Sequence, residues 1–223
     1  MAFLDHTSRH IKILRTVPPQ GLYVRGGKRL FDIMVCLALL PVVAVTILLL
    51  WLIAKTRAPS GLFAHPRVGK NSVVFRCWKI RTMIENADQA LLKILENHPD
   101  RKSEWAATRK LSNDPRILPF GRLLRRTGLD ELPQIWNVLR GDMSLVGPRP
   151  ITRAELSLYG DGKADYLAIR PGITGLWQVT ARRAPCYIRR VKLDRRYARH
   201  VTFTGDLRIL LSTLPVLFRP TGQ

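Results

Sequence analysis

An apolar run near the N-terminus constrains the fold more than any other feature of the chain. Residues 33–54 are apolar apart from Thr46. A hydrocarbon core is crossed by roughly 20 helical residues, so the run is long enough to span a bilayer. A secretory signal has a shorter apolar core of about 7–15 residues and a small-residue cleavage site. Here Lys55 and Arg57 follow directly, and the run therefore predicts a membrane helix.

The flanks and the interior of this run bear on how it sits in the membrane. Both flanks are basic, with Lys28 and Arg29 before the run and Lys55 and Arg57 after it. Basic flanks favour the cytoplasmic side, and a single crossing can place only one end there. Pro41, near the middle, removes a helical hydrogen bond and allows a bend. Two interpretations stay open: a re-entrant helix that enters and leaves on one face, and a single span with a proline kink.

The charge and the cysteines narrow the class of protein. The net charge is +21, with 37 Lys and Arg against 16 Asp and Glu. Nucleic acid, anionic lipid or a phosphate-rich substrate would each account for this excess, and the membrane run shifts the prediction away from nucleic acid. The thiols of Cys36, Cys77 and Cys186 form no CxxC pair, which is typical of a reducing compartment rather than a disulfide framework.

Short helical and strand patterns after residue 57 predict a small globular domain. We divide the chain into a basic tail (1–27), a membrane helix (28–56) and a catalytic domain (57–223). A strand is predicted at 72–80, helices at 82–97, 114–124, 129–139, 154–159, 189–199 and 206–217, and loops at 147–150 and 170–175. The charged segment 96–110 is expected to be exposed. The predicted fold is mainly α with a small β element, on the membrane surface, with amphipathic helices.

The pair Asp130-Glu131 carries the strongest chemical signal. It follows a cluster of arginines that includes Arg126 and opens a predicted helix. The positive end of a helix dipole and nearby guanidinium groups both favour an ionised carboxylate, available as a nucleophile or as a Mg²⁺ ligand. The competing interpretation is simple capping, since Thr127-x-x-Asp130 also fits a capping box.

Basic residues elsewhere suit phosphate recognition. Arg149 lies in the stiff Gly-Pro-Arg-Pro loop, and Lys79 and Arg81 end the predicted strand. If the fold brings them together, they would neutralise a pyrophosphate and the charge that develops in phosphoryl transfer; each alone is equally explained as a solvated surface charge. The sequence has no GxxxxGK[ST], GxGxxG or GxSxG motif, which argues against P-loop and serine-hydrolase chemistry.

Five segments in unbroken order resemble the bacterial sugar transferase family, the monotopic phosphoglycosyl transferases. They are 28–32 (KRLFD), 67–70 (RVGK), 79–83 (KIRTM), 129–150 (LDELPQIWNVLRGDMSLVGPRP) and 170–179 (RPGITGLWQV). The resemblance runs from about residue 28 to the C-terminus. The length of the block 129–150 argues against a chance match.

The resemblance implies a reaction and a set of site residues. The family transfers a sugar 1-phosphate from a UDP-sugar to undecaprenyl phosphate, releases UMP and uses Mg²⁺. The resemblance implies that Asp130 is the nucleophile that forms a covalent phosphosugar intermediate and that Asp130 also binds the metal. Glu131 is then the partner of Asp130. Lys79, Arg126 and Arg149 match the family's phosphate-binding positions, and Arg81 of the strand-end motif is expected to join them.

The resemblance also bears on topology and partners. The family's re-entrant helix is broken at a proline that matches Pro41, which favours re-entrance, with the catalytic domain on the cytoplasmic face of the bacterial inner membrane. Leu40 stands where many members have serine, so the bend is expected to be shallower. Compared with longer members, the chain is expected to be a minimal form without their additional N-terminal membrane helices.

The expected partners are a UDP-sugar, undecaprenyl phosphate and membrane lipids, with no nucleic acid; assembly into a homo-oligomer is left open. The Leu-Trp-Gln ending at Gln178 resembles the family's hexose-1-phosphate enzymes, which implies a UDP-galactose or UDP-glucose donor. The segment 180–183 (TARR) departs from the family's usual Ser/Asn-Gly-Arg and leaves specificity open. The expected role is the first step of exopolysaccharide or related glycan synthesis. The alternative is a non-catalytic, membrane-anchored basic binding or scaffold protein.

Overall fold

The computed structural model describes residues 21–58, 60–108, 111–180 and 187–218. Its helices are α1 (Lys28–Lys55), α2 (Ala87–Asn97), α3 (Pro99–Thr108), α4 (Pro119–Thr127), α5 (Gln134–Arg140), α6 (Arg153–Leu156), α7 (Lys163–Leu167), α8 (Leu176–Thr180), α9 (Tyr187–Arg199) and α10 (Phe203–Phe218). Its strands are β1 (Leu62–Val68), β2 (Val74–Ile80), β3 (Ser144–Val146) and β4 (Gly172–Thr174). The fold is therefore mainly helical with a small β element, as predicted.

The tail and two other predicted features fall largely outside these ranges. Residues 1–20, Cys186 and the divergent segment 181–183 lie outside the described residues. The end of the predicted tail is already helical, because Tyr23–Gly27 forms a π-helical turn that leads directly into α1.

The strands form two small pairs that support the loops between them. β1 and β2 pair antiparallel, with Leu62 opposite Ile80 and Val68 opposite Val74. β3 and β4 pair parallel, and Val68 also bridges to Ile151 just after the 147–150 loop. These contacts bring the end of the hairpin next to that loop.

Several local predictions are confirmed and others need correction. The strand at 72–80 is β2, and the last two predicted helices are α9 and α10. The charged segment 96–110 is mostly exposed over 96–106, as predicted, and it contains helix α3. The predicted loop at 170–175 contains strand β4. A strand of three residues is too short to show the alternation that identifies strands in a sequence.

Prolines shift two predicted helix starts. The helix expected from residue 114 begins at Pro119, and Leu118 before it is extended, as the residue before a proline usually is. The helix expected at 129–139 is divided into a 3₁₀ turn, Leu129–Glu131, and α5, with Pro133 at the N-terminal boundary of α5.

Helix α1 contacts the globular part at both of its ends. Near its start, the Arg29 guanidinium donates to the carbonyl of Leu139 at 2.7 Å. At its end, the fully buried Ala54 packs in one cluster with Ile80 and Leu124. The helix is continuous through Pro41. Both ends therefore lie against the same body, as a re-entrant helix requires; re-entrance itself stays a prediction.

Within the described ranges, the helix Tyr23–Lys55 is long and apolar enough to cross a membrane, with a mean hydropathy of 3.0 in its most apolar 18 residues. Only 6% of that stretch is buried, whereas the core helix of a soluble protein would be mostly buried. Large apolar side chains are exposed along it: Leu37, Leu39, Val42, Val45, Leu48, Leu49 and Leu52. A face of this kind is typical of a helix in contact with lipid.

The main core fastens α1 to the elements that carry the site. It contains buried side chains of α1, β2, α5, β3, α9 and α10: Cys36, Phe75, Cys77, Ile135, Val138, Leu145, Tyr197 and Ile209. The buried Asp32 carboxylate accepts a hydrogen bond from the Leu145 backbone N–H at 3.0 Å. Lys28 forms an ion pair with the fully buried carboxylate of Asp206 in α10. The first turns of α1 are thus tied to β3, immediately before the 147–150 loop.

Candidate active site

A small cleft that is open to solvent lies between the β1–β2 hairpin, the 3₁₀ turn Leu129–Glu131 and the loop after β3. Its walls carry a mixture of cations, one carboxylate and two carboxamides. The lining residues are Arg67, Lys79, Glu131, Gln134, Arg149, Pro150, Ile173 and Gln178.

Glu131 is the point at which three elements of the chain meet. Lys79, near the end of β2, donates from Nζ to Oε1 of Glu131 at 2.6 Å. Arg149, in the loop after β3, places Nη2 3.6 Å from the same oxygen. The structure thus brings together three of the predicted site residues, which are separated by up to 70 positions in the sequence.

Asp130 lies beside Glu131 but is only 6% exposed and does not line the cleft. Burial raises the pKa of Asp130, and the charge of Lys79 lowers it. The neighbouring Glu131 raises the pKa further, and Arg125 and Arg149 lower it; the net direction is upward. The expectation that the surroundings favour an ionised Asp130 was therefore incomplete, because burial and the adjacent carboxylate outweigh the cations.

The capping interpretation of Asp130 is wrong. Thr127 is the last residue of α4, and its hydroxyl donates to the carbonyls of Leu123 and Leu124 at 3.0 and 3.1 Å. Gly128, with φ of 75°, adopts the left-handed conformation that ends α4. Asp130 and Glu131 therefore lie in a turn between two helices and not in the first turn of α5.

Arg125, rather than Arg126, faces the Asp130–Glu131 pair (the dyad) from α4. Arg126 is exposed and makes no hydrogen bond or ion pair with the described residues. The Arg125 guanidinium donates from Nε to the Thr82 hydroxyl at 2.8 Å, and its charge acts on Asp130. Burial lowers the pKa of Arg125, and the charge of Asp130 raises it.

Arg81 is also placed away from the cleft. Its guanidinium lies 5.4 Å from the centre of the Phe63 ring, and it is not among the cleft residues. β2 ends at Ile80, so the alternation that would place Lys79 and Arg81 on one face is lost.

A buried carboxamide holds the end of β2 against α5. Asn137 is 1% exposed. Its Oδ1 accepts from the Trp78 backbone N–H at 3.1 Å, and its Nδ2 donates to the Arg76 carbonyl at 2.8 Å and to Asp142 at 3.1 Å. Trp78 directly precedes Lys79 and Arg76 lies three residues before it, so Asn137 fixes the part of β2 that places Lys79 over Glu131.

Glycines allow close backbone contact beneath the Arg149 loop. The Gly147 N–H donates to the Thr174 carbonyl at 2.9 Å, and the Gly172 N–H donates to the Pro148 carbonyl at 2.8 Å. A Cβ on Gly172 would lie 2.1 Å from the Gly147 nitrogen. This packing excludes side chains and fixes the path of the loop that carries Arg149.

Three polar cleft residues were not predicted as site residues from the sequence. Arg67 lies in the 67–70 segment and Gln134 in the 129–150 segment, both of which carry the family resemblance, and that was the available signal. Gln134 is 2% exposed. Gln178 was considered only for sugar preference; its Nε2 donates to the Ile173 carbonyl at 2.7 Å.

The donor set at the dyad suits Mg²⁺ bound together with a phosphate ligand. Among the described residues no group of three or more His, Cys, Asp or Glu side chains could hold a metal ion. Mg²⁺ commonly uses one or two carboxylates and takes its remaining ligands from substrate phosphates and water. Asp130 and Glu131 fit that pattern, and a structural zinc-type site is not formed by the described part of the chain.

Comparisons with known proteins agree with the sequence motifs. The model of the family described as bacterial sugar transferase matches residues 23–220. The undecaprenyl-phosphate galactose phosphotransferase of Salmonella typhimurium is 43% identical over 195 residues, which are 87% of this chain and 41% of that protein. The exopolysaccharide production protein ExoY of Rhizobium meliloti is 42% identical over 201 residues, 89% of each chain. The UDP-galactose-lipid carrier transferase of Erwinia amylovora is 38% identical, over 87% of this chain and 41% of that protein.

Proposed function

The chain belongs to the bacterial sugar transferase family, and on that premise we propose that it is a phosphoglycosyl transferase that moves a sugar 1-phosphate from a UDP-sugar to undecaprenyl phosphate and releases UMP. The observation that carries the proposal is the convergence of Lys79 and Arg149 on Glu131, beside the buried Asp130. The name of the Salmonella relative, undecaprenyl-phosphate galactose phosphotransferase, supports the same reaction class. The name of the Rhizobium relative supports a role in exopolysaccharide production.

The proposed reaction consists of two displacements at one phosphorus atom. A carboxylate oxygen of Asp130 attacks the phosphorus that bears the sugar, the bond to the oxygen of UMP breaks, and UMP leaves with the electron pair. An oxygen of undecaprenyl phosphate then attacks the same phosphorus and releases the Asp130 carboxylate. Covalent catalysis of this kind divides a difficult transfer between two anionic substrates into two simpler steps, and the open cleft need not hold both substrates at once.

The cations of the cleft stabilise the charge of the transferred group. Lys79 and Arg149 are both held by one oxygen of Glu131. Positioned cations of this kind lower the barrier to phosphoryl transfer, since little reorganisation is needed as charge develops on the phosphoryl oxygens. Glu131 therefore orients the two cations. Arg125 supplies a third positive charge near Asp130 from the side of α4.

Asp130 and Glu131 are the residues that would hold Mg²⁺. When bound, the ion supplies positive charge that neutralises phosphate oxygens. Burial is the main cause that raises the pKa of Asp130, and the negative charge of Glu131 raises it as well; a bound cation would favour the ionised form of both carboxylates.

The position of α1 suits a lipid acceptor. Its exposed face is apolar, and Asp32 fastens the helix to β3, from which the chain enters the loop of Arg149. A polyprenyl phosphate in the same membrane would approach the site along this side. We propose the cytoplasmic face of the bacterial inner membrane, where UDP-sugars occur, a galactose or glucose donor, and a role at the start of exopolysaccharide or related glycan synthesis.

Release of UMP tests the proposal directly. The purified full chain in nanodiscs would receive Mg²⁺, undecaprenyl phosphate and a panel of UDP-sugars, with Asp130→Asn as the nucleophile variant and Arg126→Gln as the matched exposed control. We expect UMP from a hexose donor, complete loss in Asp130→Asn and retention in Arg126→Gln. UMP release that survives Asp130→Asn would disprove the nucleophile assignment. A folded protein that releases UMP from no donor would favour a binding or scaffold role.

A further inference from the structure

Arg67 lines the cleft but is held by a different set of partners from Lys79 and Arg149. Its Nη1 lies 3.2 Å from Oε2 of Glu155 and 3.4 Å from the carbonyl oxygen of Pro150. Lys79 and Arg149, by contrast, converge on Glu131 beside Asp130. The cleft thus has two separately supported groups of cations.

The contacts of Arg67 leave one edge of its guanidinium available. A guanidinium carries five N–H groups in a planar fork. The two contacts above use Nη1, and no hydrogen bond to the described residues uses Nε or Nη2. The side chain is 23% exposed, and the residue lines the cleft. The edge formed by Nε and Nη2 is the one that binds phosphate oxygens in a bidentate manner.

The electrostatic surroundings of Arg67 favour an anion. Burial lowers the pKa of its guanidinium, the charge of Glu155 raises it, and the positive charges of Arg149 and Arg190 lower it again. The net effect is downward, so Glu155 does not fully offset the burial and the neighbouring cations. An anionic ligand in the cleft would offset them.

We propose that Arg67 binds a phosphate group other than the one attacked by Asp130, and that Glu155 is the positioning residue that aims its guanidinium into the cleft. This rests on the proposed function, in which two ligands present such a group. One is the phosphate of the UMP part of the donor, and the other is the phosphate of the lipid acceptor. The shared chemistry is a phosphate oxygen pair recognised by a planar fork.

Glu155 is held in a way that allows its charge to be tested separately from its structural role. Its side chain accepts from the Thr152 N–H at 2.8 Å, and its own N–H donates to the Thr152 hydroxyl at 3.2 Å, which forms the capping box of α6. It also lies 3.6 Å from Nη1 of Arg190. Glutamine preserves a capping box, so Glu155→Gln removes the charge that faces Arg67 while it keeps the helix cap.

Binding measured without turnover tests this assignment. In the Asp130→Asn chain in nanodiscs, the affinities for UMP and for undecaprenyl phosphate are compared with those after Arg67→Gln, Arg67→Lys or Glu155→Gln is added. Arg76→Gln is the matched control, because Arg76 is exposed on the same hairpin and the substitution removes the same positive charge. Thermal unfolding of each variant checks that it is folded.

We expect Arg67→Gln to weaken binding of one ligand by about 10- to 100-fold, the range of a lost charge-assisted pair of hydrogen bonds. Arg67→Lys should restore only part of the affinity, because the fork is absent, and Glu155→Gln should weaken the same ligand severalfold. Its unfolding midpoint should also decrease somewhat, because the ion pairs with Arg67 and Arg190 are lost, so the loss of affinity for one ligand and not the other is the readout of its positioning role. Loss confined to UMP assigns the donor phosphate, and loss confined to undecaprenyl phosphate assigns the acceptor.

The proposal is overturned if Arg67→Gln binds both ligands within about twofold of its parent, or no more weakly than Arg76→Gln; the twofold limit corresponds to about 0.4 kcal/mol. Failure of the proposed function gives a different result. In that case the wild-type chain releases no UMP from any UDP-sugar, while the effect of Arg67→Gln on phosphate binding is still present.

Discussion

Replacing Asn137 with alanine should both destabilise the protein and disturb its site. The carboxamide is almost fully buried, and it satisfies the Trp78 N–H and the Arg76 carbonyl of β2. In the alanine variant these two partly buried backbone groups lose their side-chain partner. Each such group costs about 1–3 kcal/mol when it is left unsatisfied. The third partner, Asp142, is partly exposed and can be solvated instead.

The expected loss is therefore about 3 kcal/mol in the free energy of unfolding, from two partly buried groups at about 1.5 kcal/mol each. For a chain of this size, that corresponds to a decrease of about 6–12 °C in the midpoint of thermal unfolding. The end of β2 is released from α5, so Lys79 should also lose its fixed position over Glu131, and UMP release should decrease by more than the unfolded fraction explains.

Thermal unfolding in detergent, followed by tryptophan fluorescence, measures the first effect. Asn86→Ala is the matched control, because Asn86 is exposed and makes no side-chain capping bond to α2; we expect less than about 0.5 kcal/mol there. If Asn137→Ala lost no more stability than Asn86→Ala, the carboxamide would not be what holds β2 against α5, and the placement of Lys79 would need another explanation.

Three further predictions concern pH, close packing and the anchor of α1. Burial raises the pKa of Asp194 from 3.8 to about 6 in the folded protein. The folded state therefore holds this proton more tightly than the unfolded state, which stabilises the protein below about pH 4; this stabilisation is lost as the pH rises through about 6. The stability difference between wild type and Asp194→Asn should decrease by up to about 3 kcal/mol between about pH 4 and 6 in thermal unfolding. Gly172→Ala, whose Cβ would lie 2.1 Å from a backbone nitrogen, should lower the unfolding midpoint far more than Gly26→Ala, which has open space. Arg29→Met should cost about 1.5–3 kcal/mol, because charge-assisted bonds to the end of α5 are lost, and the exposed Arg25→Met should cost almost nothing.

The convergence of Lys79, Glu131 and Arg149 could be anticipated because each lies in a segment with a strong local signal. Lys79 follows an alternating strand pattern, and Arg149 lies in a loop stiffened by two prolines. Their order in the chain matched the family resemblance. That they share one carboxylate oxygen could be established only from the fold.

Other features depend on properties that a single sequence does not display. Arg125 and Arg126 are neighbours in sequence, and only the starting point of α4 at Pro119 decides which of them turns toward the dyad. The pKa of Asp130 depends on how deeply the turn is buried, which no local pattern indicates. β3 and β4 are each three residues long and pair in parallel over a long separation in sequence, beyond the reach of periodicity.

The charged residues at the start of α1 connect the membrane element to the chemistry. Asp32 binds the backbone of Leu145 in β3, and β3 leads after one turn of chain to Arg149, which faces Glu131. Arg29 binds the end of α5, the helix whose Asn137 positions Lys79. Lys79 and Arg149, the two cations that contact Glu131, are therefore placed by elements that are bound to the first turns of one apolar helix. The depth at which that helix lies in a bilayer would then set the height of the site above the membrane, as the proposed transfer to a membrane-bound lipid phosphate would require.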